Sequence, residues 1–517
     1  MRKRILALAL TVTVMLTSAA QDSLTTKESL PRSTDPSYVK TSFPLAVGSM
    51  LFANGFIHGM GRLTGFECSE VTMHSLRRNF RSGFEWDNDR FFMNQLGHPY
   101  QGGLSFNAAR NNGFNFLQSA AFTVAGSFIW EYCGEKEPPS INDMITTSVA
   151  GTLFGECSHR LADRILDNSD RGGRRMLREA TAAFLNPLQG LERLLTGKMW
   201  KVKIDEDQNE NENQDENSVQ RFSRRNKDEM EDAWVSISLA DRYVVAADGA
   251  SHGRHHPFLS VSAEYGETAD SKSHFSPYDF IAVDGALAFG GKQPIIPRLN
   301  VTARICSTPL KTKTTKNTLG KVTPPSKWQG EAELGLYQFY CYDDTRIGDS
   351  LRGPFPFGET ASFGPGLIMK STSPRLTFEQ RLFARGIILG TVESDYYNCY
   401  ERQYNFGSGY GASSLSRLTW KDALALQLDA YYQHLYTWGG YEPRAIAEVA
   451  SNNYPNVLGD RSNAHVLKLD MQLHARLTPH CGLALGTAWV TRHTHYDYHP
   501  NRHASSYELC AGLLWSL

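Results

Sequence analysis

The feature of this sequence that most constrains its fold is an alternation of apolar and polar residues in its C-terminal half. Between residues 464 and 477, one set of alternate positions is nearly all apolar and the other is mostly polar. The apolar set is His465, Leu467, Leu469, Met471, Leu473, Ala475 and Leu477. Residues 423–438 repeat the pattern, with aromatic side chains at one end of the apolar stripe. A period of two predicts β-strands, and the aromatic end is typical of a membrane interface.

About twelve such segments can be counted, and an even number fits a closed membrane barrel with both termini on one side. They cover residues 234–247, 256–269, 278–293, 296–309, 328–344, 359–372, 375–393, 404–420, 422–438, 463–479, 481–498 and 503–517. Lengths of about 13–17 residues exceed the usual strand length of about 5–6 in globular sheets. A soluble sandwich is the alternative, because its strands alternate too. We therefore predict an α+β protein with a C-terminal transmembrane antiparallel β-barrel.

Connection lengths favour the barrel, since outer-membrane barrels join short periplasmic turns to longer external loops. In the C-terminal part, the connections at 373–374, 421 and 478–480 are tight. Those near 345–358, 394–403, 439–462 and 499–502 are mostly longer. The alternation fails earlier, where 291–294 is short and the Lys/Thr-rich stretch 311–327 is long. The last strand resembles an outer-membrane insertion strand but ends on Leu517 instead of an aromatic residue.

The N-terminus predicts export. Residues 1–4 are basic, residues 5–16 are apolar but too short to span a bilayer, and residues 17–20 are small. This order is typical of a secretory signal peptide cleaved near Ala20. Because an exported β-barrel is typical of the outer membrane, the expected location is the cell outer membrane. Eight cysteines are scattered singly, so we expect free thiols that serve as small core residues.

An acidic, amide-rich tract at 205–217 divides the chain into two unlike halves. Such a tract has nothing to bury and predicts a solvated linker or loop. The resulting organisation is a signal peptide at 1–20, a flexible N-terminus at 21–43, a helical domain at 44–200, the acidic linker at 201–232 and the barrel at 233–517.

The half before the tract has apolar residues at helical spacing. Residues 114–130 are apolar and rich in small residues, which favours packing between helices. A second helix is expected to begin with Ser140 as N-cap and Asp143 at the capping-box position, and to end near Leu166. Gly151 and Gly155 allow close helix approach. We predict a compact helical module packed at the periplasmic mouth or in the lumen of the barrel, as a plug would be.

An ordered set of short motifs runs through this module. They are WDND at 86–89, NQLGHPYQGG at 94–103, ARNNG at 109–113, SFIWEY at 127–132, PSIND at 139–143 and GE at 155–156. Over roughly residues 80–195 the chain resembles an uncharacterised family of Gram-negative envelope proteins, the domain of unknown function number 3943. The resemblance implies an envelope location and a shared helical unit. It supplies no activity, and so no catalytic residues.

Seven ionisable residues lie among these apolar helices, where an unpaired charge costs several kcal/mol. Candidate catalytic residues are His98, Glu131, Glu156 and His159, and candidate ligand-binding residues are Arg110, Asp143 and Arg160. One interpretation is structural: Glu131 lies beside Arg110, Glu156 pairs with Arg160 at i,i+4, and His98 orients the Gly-rich turn. The other is functional, with His98 as general base or ligand and Glu156-x-x-His159 as half of a carboxylate–histidine metal site. No second copy of that motif exists, so neither a metal nor a cofactor is expected.

Three functions follow from these features. Lys+Arg 53 against Asp+Glu 54 gives a net charge of -1, which disfavours nucleic acid as a partner. A gated or plugged conduit would have a lumen lined by Gln427, Asp429, Lys468, Asp470 and Gln472. An envelope enzyme acting on lipid or glycan would bring His98 and Glu156 together in an accessible pocket, and a structural envelope component would show neither. The expected partners are outer-membrane lipid, the barrel-assembly machinery during insertion and an unknown small molecule.

Overall fold

The computed structural model describes most of the chain before and after the acidic tract. The described residues are 41–87, 89–168, 170–201, 234–246, 254–269, 273–289, 293–310, 329–344, 346, 355–396, 402–437 and 459–516. The predicted signal peptide, nearly all of the predicted flexible N-terminus, the acidic tract at 205–217 and most of the predicted loop at 439–462 lie outside them. Those assignments stay predictions.

The described chain divides into two compact units. The first contains residues up to 87 and the helices from residue 96 onward. The second contains all the strands together with residues 89–95. The sequence did not predict that this short segment inside the family motifs groups with the barrel.

Helices build the first unit. Among the described residues they are α1 (Phe43–Thr64), α2 (Met73–Asn79), α3 (His98–Arg110), α4 (Phe116–Ile129), α5 (Ile141–Ile165), α6 (Gly172–Leu185) and α7 (Pro187–Leu195). The predicted start of α5 is confirmed, because the Ser140 side chain accepts a hydrogen bond from the Asp143 backbone N–H at 3.2 Å. A reciprocal capping box between Asn115 and Gln118 begins α4. Each cap satisfies an amide that the first helical turn leaves without a partner.

Glycines bring α3 and α5 into backbone contact. A Cβ on Gly102 would lie 2.0 Å from the Thr147 carbonyl oxygen, and one on Gly151 would lie 2.5 Å from the Gly102 Cα. Farther along, a Cβ on Gly155 would lie 2.4 Å from Phe106. Only glycine permits so close an approach. The predicted small-residue packing of α5 is confirmed, and it places the beginnings of the two helices side by side.

Helix α1 has a largely exposed apolar surface. It is the one helix in the described part of the chain that is long and apolar enough to cross a membrane, by length and composition only. Its exposed apolar residues include Phe43, Leu45, Leu51, Phe52, Phe56, Met60 and Leu63. Sequence analysis had singled out residues 114–130, and not α1, as an apolar helical segment. The helix in that segment, α4, contributes Phe122 to the core of the helical unit.

Twelve antiparallel strands form a closed barrel, which confirms the predicted fold class and strand count. The strands are β1 (Trp234–Ala246), β2 (Arg254–Tyr265), β3 (Ile281–Ala288), β4 (Arg298–Pro309), β5 (Gln329–Asp343), β6 (Phe357–Thr372), β7 (Leu376–Glu393), β8 (Tyr404–Trp420), β9 (Leu424–Thr437), β10 (Ser462–Arg476), β11 (Cys481–Tyr496) and β12 (Arg502–Ser516). Neighbours in sequence pair with each other, and β1 pairs with β12 to close the ring. The short connections 373–375, 421–423 and 477–480 lie at one end with both barrel termini; we call this the turn end and the opposite one the loop end.

Alternation along the strands separates an apolar outside from a polar inside, as predicted. On β10, Leu469 and Met471 are exposed on the outer wall, whereas Lys468 and Asp470 line the interior. Toward the loop end an apolar cluster also lines the interior. The apolar cluster there consists of Cys341, Phe355, Phe357, Ile387, Val392, Leu435, Ala464, Val466 and Val490.

Residues 89–95 pack on the outer wall of the barrel near the loop end. Phe91 is buried, with its ring centroid 5.2 Å from that of Tyr342 and 5.4 Å from that of Tyr404. The Asn94 side-chain amide donates to the Tyr404 hydroxyl at 2.6 Å. Tyr342 points outward, because the adjacent Asp343 points inward to Lys468 and successive side chains of a strand alternate. This segment therefore does not occupy the lumen.

The cysteines only partly match the prediction. The described ones are free thiols, as expected, but only Cys157 and Cys341 are buried. Cys133 and Cys481 are exposed, and Cys481 begins β11 directly after a tight turn. The expectation that all of them serve as core residues is therefore wrong, because alternation places some of them on the surface.

Candidate functional site

Three of the predicted site residues meet at one end of the α3–α5 crossing. His98 is the first residue of α3, and Asp143 lies in the first turn of α5. Glu131 lies in the π-helical turn that follows α4. A ligand atom from each of the three residues lies within 4.8 Å of the ligand atoms of the other two. We call this group the His98 cluster.

Neighbouring groups fix the two carboxylates of the His98 cluster. The Ser140 backbone N–H donates to Glu131 Oε2 at 2.8 Å, so the cap of α5 also holds Glu131. The Asn142 side-chain amide donates to Asp143 Oδ1 at 2.9 Å. His98 Nε2 lies 3.5 Å from Asp143 Oδ1. All three residues of the cluster are at most 3% exposed, which removes them from contact with a bulky substrate.

Burial dominates the electrostatics of Glu131. It raises the pKa of this carboxyl well above its ordinary value, and the nearby Glu135 and Asp143 carboxylates raise the pKa further. The His98 side chain and the Ser140 N–H act in the opposite direction. Glu131 Oε1 is buried and has no hydrogen-bond partner. The neutral or cation-bound form of Glu131 is therefore favoured.

A second cluster lies at the other end of the crossing, around Glu156. Arg110 Nε donates to Glu156 Oε2 at 2.9 Å, and Arg160 Nε donates to Oε1 at 2.8 Å. Burial raises the pKa of Glu156, but Arg160 and Arg110 together bring it below its ordinary value. The i,i+4 pair of Glu156 and Arg160 is confirmed. The expected pairing of Glu131 with Arg110 is wrong, because Arg110 binds Glu156 instead.

His159 does not join Glu156 in a metal half-site. Its Nδ1 lies 3.2 Å from Asn111 Oδ1, and its Nε2 lies 3.3 Å from an oxygen of Asp163. Glu156 and His159 of the E-x-x-H motif thus bind different partners. His98 and Glu156 also stay apart, because the helical rise places Asp143 and Glu156 about 20 Å from each other along α5. The convergence that the enzymatic alternative requires is absent from the described residues.

The barrel interior contains a cavity of about 700 Å³. It reaches Asp422 and Pro479 in the tight connections, so it lies toward the turn end, and its inner wall includes Cys341 and Phe357 of the apolar cluster. The five positions that the sequence assigned to the lumen all line it, namely Gln427, Asp429, Lys468, Asp470 and Gln472. Further charged lining residues that the sequence argument did not select are Glu264, Asp284, Arg298, Asp343, Arg381, Arg385 and Arg417.

Ion pairs cross the lumen and connect distant strands. Lys468 on β10 binds Asp343 on β5. Arg492 on β11 binds Glu393 on β7 at 3.2 Å, and its guanidinium lies 5.1 Å from the Phe355 ring centroid. Both signs of charge are present, so the lumen has no single-sign lining that would select anions or cations by charge alone.

The chain therefore contains an N-terminal helical unit and a closed twelve-stranded antiparallel barrel. Such a barrel is the fold class of outer-membrane proteins. The family model described as Domain of unknown function (DUF3943) matches residues 83–188. This match confirms the resemblance that the motifs between residues 86 and 156 indicate. No curated protein matches the chain.

Solved structures that resemble part of the chain include outer-membrane barrels. NanC porin is 10% identical, with 53% of this chain and 98% of that chain covered and a TM-score of 0.25. OmpT, an outer membrane protein of Vibrio cholerae, is 8% identical, with 55% and 97% covered and a TM-score of 0.18. A BenF-like porin from Pseudomonas fluorescens is 10% identical, with 56% and 100% covered and a TM-score of 0.16. At these values the likeness adds nothing about function.

Proposed function

We propose that this protein is an outer-membrane barrel that acts as a gated conduit for small polar solutes. The observation that carries the proposal is the lumen: a cavity with many charged residues in its lining lies toward the turn end and stops at the apolar cluster toward the loop end. An apolar constriction resists the passage of water and ions, and it opens when a few side chains move.

The outer wall supports the membrane location. A band of exposed leucine and methionine side chains surrounds much of the barrel; its members include Leu239, Leu334, Leu336, Leu382, Leu428, Leu469, Met471, Leu473, Leu483, Leu485, Leu509 and Leu513. Exposed Phe378, Trp420 and Trp515 flank the band toward the turn end, and exposed Tyr410 and Tyr436 flank it toward the loop end. An apolar band between two aromatic girdles is typical of barrels that span the outer membrane.

Localisation is tested by fractionation of cells that express the full chain. The mature protein is expected in the outer-membrane fraction, beginning near Gln21 and migrating differently on gels before and after heating. Recovery in the soluble periplasmic fraction would contradict the membrane assignment.

The gate is tested by conductance of the purified protein in planar bilayers. Wild type is expected to show little steady current, and Phe355→Ala/Phe357→Ala is expected to raise it several-fold because both rings belong to the apolar cluster. Phe378→Ala is the matched control, since this phenylalanine is exposed on the outer wall. Heat-modifiable migration verifies that each barrel is closed. An open wild-type pore, or a correctly folded double variant that stays silent, would reject the gate and favour a structural role.

A further inference from the structure

We propose that the His98 cluster is a buried binding site for one divalent transition-metal ion, of which Zn²⁺ is the representative. The site comprises one imidazole and two carboxylates, from His98, Glu131 and Asp143. Imidazole and carboxylate are ligands that Zn²⁺ accepts, whereas Ca²⁺ and Mg²⁺ prefer oxygen ligands alone. This proposal concerns the helical unit and does not depend on the conduit.

The spacing of the ligand atoms fits such an ion. With metal–ligand bonds of about 2.0–2.2 Å, two ligands of a tetrahedral ion lie about 3.4 Å apart. His98 Nε2 and Asp143 Oδ1 are 3.5 Å apart. A ligand atom of Glu131 belongs to the same group, in which all three ligand atoms lie within 4.8 Å of one another. Two helix beginnings and one π-helical turn supply the three side chains.

The unsatisfied oxygen of Glu131 also favours a bound cation. One imidazole and two carboxylates, those of His98, Glu131 and Asp143, are buried together in this cluster. Glu131 is 1% exposed, and its Oε1 has no hydrogen-bond partner. Leaving a buried carboxylate oxygen unsatisfied is costly. A bound divalent ion would satisfy that oxygen and balance both carboxylates.

The surroundings resemble the outer shell that metal sites need. The Asn142 amide donates to Asp143 Oδ1, and the Ser140 N–H donates to Glu131 Oε2. Such contacts hold carboxylate ligands in position. Because all three candidate ligands are buried, the ion would be structural: it would tie the start of α3 and the turn after α4 to the start of α5.

The purified full chain in detergent is first stripped of metal with a chelator and then mixed with Zn²⁺. Gel filtration removes unbound ions, and the Zn²⁺ that remains on the protein is measured. Wild type is expected to retain about one equivalent of Zn²⁺, and excess Mg²⁺ or Ca²⁺ is expected not to displace it. Glu131→Gln and His98→Gln are expected to weaken binding by more than about 100-fold, since even outer-shell changes cost 10–100-fold. Substituted Co²⁺ should give a visible absorption spectrum that both variants lose.

Matched controls come from residues outside the proposed site. His159→Gln and Glu192→Gln change the same residue types, Glu192 being only 3.8 Å from Lys198 and 28% exposed, and both variants are expected to retain Zn²⁺ and the Co²⁺ spectrum. Glu131→Gln mimics a protonated carboxyl, so it keeps the fold while removing the ligand. Wild type that binds no Zn²⁺ would overturn the proposal. Equal Zn²⁺ binding by wild type, Glu131→Gln and His98→Gln would overturn it too, because the ion would then be bound by other residues among the 16 histidines.

Discussion

Arg381 on β7 donates to Glu264 on β2 across the interior of the barrel, with 2.9 Å between Nη2 and Oε2. The two strands are not neighbours in the ring, so the contact passes through the lumen. Arg381 also binds Glu379 on its own strand at 2.6 Å. The interior is thus held together by paired charges between opposite walls as well as by strand pairing.

Removing this bridge should destabilise the barrel. Arg381→Gln leaves Glu264 and Glu379 without their cation in a mostly buried site, which typically costs about 3–5 kcal/mol. The free energy of unfolding in urea, with the protein in detergent or vesicles, measures the loss. Arg461→Gln is the control, because Arg461 and its partner Asp497 are 58% and 43% exposed and a surface pair contributes about 0–1 kcal/mol. Equal losses in the two variants would contradict the lumen pair.

Glu156 should make the helical unit sensitive to acid. Its pKa is lowered in the folded state because Arg160 and Arg110 outweigh burial. A group with a lowered folded pKa contributes stability above its unfolded pKa of about 4.3, and that contribution is lost as the pH falls through the folded value. Thermal unfolding followed by the helical circular dichroism signal should show a drop below about pH 4.3 in wild type.

Glu156→Gln removes the titrating group, so its unfolding temperature should be lower at neutral pH and should change less with acid. Breaking a buried ion pair costs about 3–5 kcal/mol at neutral pH. Arg174 forms an ion pair with Asp170 but is 71% exposed, so Arg174→Gln is the control and should leave the profile near wild type. An unchanged acid profile in Glu156→Gln would assign the acid sensitivity to other groups.

A charge on the outer wall should oppose membrane insertion. Met471 is 46% exposed within the apolar band, and Met471→Lys is expected to cost about 2–4 kcal/mol if it lies near the bilayer midplane. Gln472→Lys is the matched control, because the neighbouring side chain points into the lumen beside Asp470. Folding into lipid vesicles, titrated with urea, compares the two. A larger loss in Gln472→Lys would mean that the outer and inner faces are assigned the wrong way round.

Orientation in the membrane can be tested with two single cysteines in a background without the eight native ones. Tyr498 lies in the connection between β11 and β12 at the loop end, and Pro479 lies in a turn at the other end. Tyr498→Cys should react with an impermeant reagent in intact cells, and Pro479→Cys only after permeabilisation. The loop at 440–455 should label as Tyr498 does, and the tract at 205–217 as Pro479 does. The reverse pattern would invert the orientation.

Local sequence patterns determined much of this protein. Alternation with a period of two fixed the twelve strands to within a few residues, because neighbouring side chains of a strand face opposite surroundings. It also placed Lys468 and Asp470 in the lumen. Ser140 marked the start of α5, since a helix beginning has amides that need a nearby acceptor. In each case the controlling interaction lies within a few residues of the pattern.

Tertiary structure alone decided which distant residues meet. His98, Glu131 and Asp143 were all candidate residues, but their grouping depends on the close α3–α5 crossing at Gly102 and Gly151. The same crossing brings Arg110 within hydrogen-bond distance of Glu156, whereas sequence analysis had paired Arg110 with Glu131. The lumen pairs and the packing of Phe91 on the barrel wall likewise join positions far apart in the chain. The spacing of residues along the chain does not predict such contacts, because they form only when helices approach each other and the barrel closes.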